Sequence, residues 1–156
     1  MLKCTIYAVG KLKETWWQEA QKEYFRRLHT TMKINIIEVA AEALGSTVSE
    51  ARAMQLEGER LLRRLPADAY VVALERTGKT LSSPELATLL DNEGGSGREI
   101  VFVVGGSAGL ASDVLARANT KISFSKMTFT HEMARVILLE QLYRATTILS
   151  GKPYHR

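Results

Sequence analysis

The stretch Ile100-Val101-Phe102-Val103-Val104-Gly105-Gly106-Ser107-Ala108-Gly109-Leu110 decides the fold. Five apolar residues without alternation are what a strand buried on both faces of a parallel sheet requires. The glycines that follow let the backbone turn sharply and approach a ligand closely. Ligands of parallel α/β sheets bind at the carboxyl ends of strands, where such a turn lies. Residues 100–110 therefore predict both a central strand and one edge of a site.

Working outward, further apolar, β-branched runs occur at Leu2–Val9, Ile34–Val39, Tyr70–Leu74 and, briefly, Ile122–Phe124. Helical spacing fills the gaps between them. The first helix is expected over about Glu14–His29, with Trp16, Trp17, Ala20, Tyr24 and Leu28 on its inner side. The second spans about Val48–Leu65, with Leu56, Leu61 and Leu62 on one side and Thr47 or Ser49 as cap. Ser83-Pro84 opens a third, with serine as the cap and proline at N1. A fourth covers about Asp113–Ala118, and the last and longest runs over about Glu132–Leu149. Strands alternating with helices predict an α/β fold, a mostly parallel sheet with helices on both faces. No repeat or linker interrupts residues 1–156, so a single domain is expected.

The last helix is apolar nearly all round, through Met133, Val136, Ile137, Leu138, Leu139, Leu142, Tyr143, Ile148 and Leu149. One sheet face cannot cover every side of it, so a homodimer is expected. Charge is also uneven. Residues 1–120 carry fifteen groups of each sign, so the whole excess of +4 falls in residues 121–156, where six basic groups face Glu132 and Glu140. Such an excess suits a polyanion, and it equally suits a solvated basic helix face. The single cysteine, Cys4, excludes an intramolecular disulfide and a cysteine-based zinc site. No signal peptide and no apolar run of about 20 residues is present, so the expected setting is cytoplasmic, with no membrane partner.

Several chemistries can be weighed on spacing. The turn is not the dinucleotide GxGxxG, because Gly106 and Ser107 stand in the wrong order, and it follows a late strand. Gly105-Gly106-Ser107-Ala108-Gly109 does fit the G-x-S-x-G elbow of serine hydrolases, with Asp113, His131 and His155 following in the order acid, then histidine. Against that reading, Asp113 is too near Ser107 in sequence, and only one short strand remains after the elbow. A non-catalytic nucleotide-binding module is a further alternative. Gly78-Lys79-Thr80 ends like a P-loop but has Ala73 where the first glycine belongs, and reads as a turn after the third strand. His29, His131 and His155 show no ligand spacing, so no metal is expected.

Two more segments bear on a site. Ser123–Thr130 joins hydroxyls, two phenylalanines and Lys126 in a connector that offers amides and flat apolar walls to an adenine. The tail Tyr154-His155-Arg156 holds groups that stack on bases, move protons and bind phosphates.

Together these segments resemble the RlmH family of SPOUT methyltransferases along the whole chain. The matching residues are Ala8-Val9-Gly10, Leu74 with Gly78-Lys79, Val104-Gly105-Gly106, Gly109-Leu110, Ser123–Thr130 with His131, Glu140-x-Leu142-Tyr143-Arg144-Ala145, and the terminal Pro153-Tyr154-His155-Arg156. The resemblance implies an α/β-knot fold with a C-terminal trefoil knot, a homodimer, and S-adenosylmethionine as cofactor. It implies methylation at N3 of a pseudouridine in 23S ribosomal RNA on the assembled ribosome. It assigns the cofactor to Leu74, Gly105, Gly106, Gly109, Phe124, Ser125, Lys126, Met127, Thr128 and Phe129. The residue between the turn's glycines varies in that family, so Ser107 need not be functional. The sulfonium is already a strong electrophile, and no metal is needed. What remains is alignment and removal of the imide proton. His155 is the candidate for proton removal, with Tyr154 stacking and Arg156 holding phosphate.

Overall fold

A computed structural model describes residues 1–43, 45 and 47–156. The chain alternates β1 (Leu2–Val9), α1 (Thr15–Leu28), β2 (Met32–Val39), α2 (Glu50–Arg64), β3 (Tyr70–Thr80), α3 (Ser83–Gly94), β4 (Glu99–Val104), α4 (Ser112–Arg117), β5 (Thr120–Ser123) and α5 (His131–Leu149). The five strands form one sheet in the order β2-β1-β4-β3-β5, every neighbouring pair parallel. The crossovers β1 to β2 and β3 to β4 run one way across this order, and the other two run the opposite way. Crossovers of a single hand must then place α1 and α3 on one face and α2 and α4 on the other.

The packing follows that rule. Ile100, Phe102 and Val104 of β4 point into a core with Leu28 of α1, Leu86 and Leu90 of α3, and Leu138, Leu139 and Leu142 of α5. Val101 and Val103 point the other way, toward Leu61 of α2 and Val114 of α4. Alternate residues thus feed two cores, which explains why β4 reads as an unbroken apolar run. Phe102 is fully buried, and its truncation to alanine should cost about 3–5 kcal/mol.

Three expectations need correction. The third strand does not stop at Leu74 but continues to Thr80. It pairs with β5 up to Leu74, makes an excursion over residues 75–78, and pairs again through Lys79 and Thr80. Gly78 therefore lies within the strand and not in a turn after it. A Cβ there would stand 2.7 Å from the Ile122 nitrogen, so glycine is required by the close approach to β5. The cap of α3 is Ser82, one residue before the expected one, because Glu85 completes a capping box with it. Trp16 is not on an inner side; it is 60% exposed, while Leu28 carries the burial of α1. The second helix is capped by Ser49, whose side chain accepts from the Arg52 N–H.

Arg135 fixes where α5 begins. It is buried, donating from Nη1 to Glu38 Oε2 at 2.8 Å and from Nη2 to the Gly10 carbonyl at 2.9 Å. These bonds tie the first turns of α5 to the carboxyl ends of β1 and β2.

Candidate functional site

The carboxyl ends of β3, β4 and β5 converge on one cavity of about 840 Å³, within the roughly 300–1,000 Å³ typical of small-molecule sites. Each wall comes from a chain segment forced out of regular structure. Leu74 ends the first β3–β5 pairing, and Glu75 and Arg76 belong to the excursion that follows. Gly105 to Leu110 form the turn after β4, closed by the Gly109 N–H on the Gly106 carbonyl at 3.0 Å. Gly109 sits at φ +86°, a conformation that costs glycine little. At Gly105 a Cβ would lie 2.9 Å from the Gly109 carbonyl carbon, so the turn folds back on itself too tightly for any side chain. The third wall is the connector after β5, held by Ser123 Oγ on the Ser125 carbonyl at 2.9 Å and by the Met127 N–H on Ser125 Oγ at 3.0 Å. Met54 of α2 and His131, Glu132 and Ala134 of α5 complete the lining.

Of the residues assigned to the cofactor from sequence, Leu74, Gly105, Gly106, Gly109, Phe124, Ser125, Met127, Thr128 and Phe129 all line this cavity. Lys126 lies in the same connector but is exposed and outside the lining. The lining is mixed in character. Leu74, Ile122, Phe124 and Phe129 are apolar, whereas the α2/α5 end carries His131 and Glu132, paired Nε2 to Oε1 at 3.1 Å. His131 was legible only as a residue following the connector; that α5 begins there, turning it into the cavity, was not.

The tail lies elsewhere. Tyr154 donates from Oη to Glu140 Oε1 at 3.2 Å and packs edge-on against Tyr143 at 4.8 Å. The Arg144 guanidinium covers the Tyr154 ring at 4.7 Å, donates to Glu140, and lies 3.4 Å from His155 Nδ1. Burial and the Glu140 carboxylate push the Tyr154 phenol above its ordinary value, so it stays a neutral donor. Arg156 is exposed. None of Tyr154, His155 and Arg156 lines the cavity of its own chain. Glu140 is nine residues beyond His131, about 13 Å along the helix and two and a half turns round it.

The hydrolase arrangement does not assemble. Ser107 is exposed and its backbone has no positive φ, unlike the strained elbow that motif demands. His131 pairs with Glu132 and not with Asp113, and His155 lies against Arg144. Among the described residues there is no group of three His, Cys, Asp or Glu side chains able to hold a metal ion. No helix among them is long and apolar enough to cross a membrane.

A family model described as "Predicted SPOUT methyltransferase" matches residues 2–155. The chain belongs to the SPOUT methyltransferase family. Members of this family generally use S-adenosylmethionine. The cavity's donor set suits that group. Flat apolar walls at Phe124 and Phe129 can take an adenine, backbone groups of the Gly105 turn can approach a ribose, and a polar end remains for the rest of the molecule. The sulfonium, when bound, supplies the methyl group; the protein supplies its position.

Proposed function

We propose that this SPOUT methyltransferase acts on N3 of a pseudouridine in 23S ribosomal RNA, on the assembled ribosome, as a cytoplasmic homodimer of single-domain chains. The C-terminal trefoil knot implied by the RlmH resemblance belongs to the same reading. The observation that carries it is the grouping around one cavity of nine of the ten residues assigned to the cofactor by that resemblance. Leu74 and the Gly105 and Phe124–Phe129 segments would bind S-adenosylmethionine, which would supply the methyl group.

The substrate must meet that methyl group and lose a proton from a weakly acidic imide nitrogen. The stacking, proton-accepting and phosphate-binding groups of the tail stand apart from the chain's own cavity, so in this reading they serve the cavity of a second copy. The uncovered side of α5 supports that arrangement. Met133 is 38% exposed, and Val136 and Ile137 on the same side are only half-buried. A partner laid along this side would bury them and carry its own Tyr154, His155 and Arg156 toward the first cavity. His155 then takes the imide proton, Tyr154 stacks on a base and Arg156 holds phosphate.

Subunit complementation tests the reading. A chain lacking residues 154–156 and a chain carrying Gly105→Val should each be inactive toward ribosomes. Co-expressed as a mixed dimer, they should regain activity at one site in two. Full activity in either homodimer, or none in the mixture, contradicts a shared site.

A further inference from the structure

A second cavity, of about 330 Å³, adjoins the first. Phe124 and Phe129 line both, so the connector after β5 is the wall between them. The far side is built from the approach to α3, at Leu81, Ser82 and Ser83, and the middle of α5, at Ile137 and Gln141. None of these residues lines the first cavity. Ser83 Oγ donates to Gln141 Oε1 at 2.6 Å, and Gln141 Nε2 donates to Glu140 Oε2 at 2.7 Å. Both bonds fix the plane of the Gln141 amide, and they leave it one further N–H and one further lone pair. A donor and an acceptor side by side on a fixed plane match the edge of a nucleobase. The two phenylalanines match its flat face. The volume lies at the small end of the roughly 300–1,000 Å³ of ligand sites, which suits one base and not a second cofactor. The chain around this cavity is basic. Lys79 pairs in register with the lining residue Ile122, Lys121 precedes it, and Lys126 falls between the two phenylalanines in sequence. All three are exposed, and none makes an ion pair among the described residues. The neighbouring carboxylates are engaged, Glu85 by the Ser82 N–H and Glu140 by Arg144.

Resting on the ribosomal RNA reading above, we propose that this second cavity binds an unpaired nucleobase of the RNA next to the one that receives the methyl group. Gln141 meets the edge of that base, and Phe124 and Phe129 meet its face. Lys79, Lys121 and Lys126 attract the phosphates that flank it. The connector wall keeps this base out of the first cavity, so it is gripped and not methylated. Register follows from that grip, because only a neighbour of the held base can then reach the opening of the first cavity. Gln141 and Ser83 are thus specificity residues for the RNA. A second copy of the chain is the competing occupant, since Ile137 also lies on the outer side of α5. The three unpaired lysines favour a polyanion over another chain of net charge +4.

Steady-state methyl transfer to ribosomes tests this with Gln141→Leu, which keeps the bulk of the side chain and removes the amide. The variant should raise KM for ribosomes about tenfold, the loss of one or two hydrogen bonds, and keep kcat within about twofold. Its calorimetric affinity for S-adenosylhomocysteine and its sedimentation as a dimer should match the native chain, which shows that it is folded. Ser83→Ala, which frees the amide plane, should act in the same direction more weakly. Ultraviolet crosslinking of the native protein to ribosomes needs no variant and should place RNA on a peptide holding residues 81–86 or 137–141. An unchanged KM in both variants overturns the proposal, as does crosslinking confined to other segments. A Gln141→Leu chain that sediments as a monomer also overturns it, and makes this cavity an interface between copies. If the native protein crosslinked at these segments yet transferred no methyl group to ribosomes, the reaction assigned above would fall and the base site would stand.

Discussion

At Gly105 the chain passes within van der Waals contact of its own return at Gly109, and this one position separates the competing chemistries. A valine there must displace backbone, since the nearest atoms to a Cβ are the Gly109 carbonyl carbon and oxygen at 2.9 and 3.0 Å. Gly105→Val should therefore abolish S-adenosylmethionine binding in calorimetry. Ser107→Ala should keep methyl transfer within about twofold, because Ser107 is exposed and pairs with neither histidine. A dead serine variant whose parent cleaves simple esters would restore the hydrolase reading. Glu57 makes a second prediction, about pH. Its folded carboxyl titrates above the ordinary value of 4.5 because burial disfavours the charge. Its contribution to stability is thus complete below that value and is lost as pH rises through the folded pKa. Glu57→Gln, which mimics the protonated form, should gain in melting temperature over the native chain at pH 8 and lose that advantage near pH 4. A difference independent of pH would show that the carboxyl is not strained by burial.

Among the elements, α5 carries both ends of the proposed shared site. Nineteen residues put its ends about 27 Å apart, with His131 in the cavity and the tail folding back only as far as Glu140. Ile137→Asp on the half-buried outer side should give monomers in sedimentation at micromolar concentration, where the native chain sediments as a dimer. A native monomer would remove the partner's tail from the account. Deleting Tyr154-His155-Arg156 should leave cofactor affinity unchanged and lower methyl transfer at least 100-fold, the low end for a lost general base. It should also lower the melting temperature by a few degrees, since Tyr154 packs on Tyr143 and bonds Glu140. The central strand was legible because β4 is buried on both faces, which leaves only apolar residues from Ile100 to Val104. The β3 excursion was hidden because Gly78 carries the same local signal in a turn as in a close strand approach. Trp16 misled because a large apolar residue at helical spacing reads as core whether or not a neighbour covers it. The connector Ser123–Thr130 could be found from its composition, yet the join of His131 and Glu132 to the cavity depends on Arg135 anchoring α5, a long-range contact with no local trace.

Among the described residues, one parallel sheet gathers three irregular segments and a helix start at its carboxyl edge into a cavity. In the proposed function, contact with the polyanion falls to the exposed Lys121, Lys126, Lys152 and Arg156 and to Arg76 at the cavity. Ribosome binding should accordingly weaken as salt rises, and Arg156→Ala should flatten that dependence by about one counterion, a slope change of roughly 0.9. The proposed substrate is the assembled particle and not free RNA. The most direct measurement is transfer of a labelled methyl group from S-adenosylmethionine to ribosomes purified from cells lacking the modification. The account predicts label in 23S RNA, at N3 of one pseudouridine, with intact ribosomes and little with naked RNA. Cofactor binding without any transfer to ribosomes, or label at another nucleotide or on free RNA alone, would contradict it.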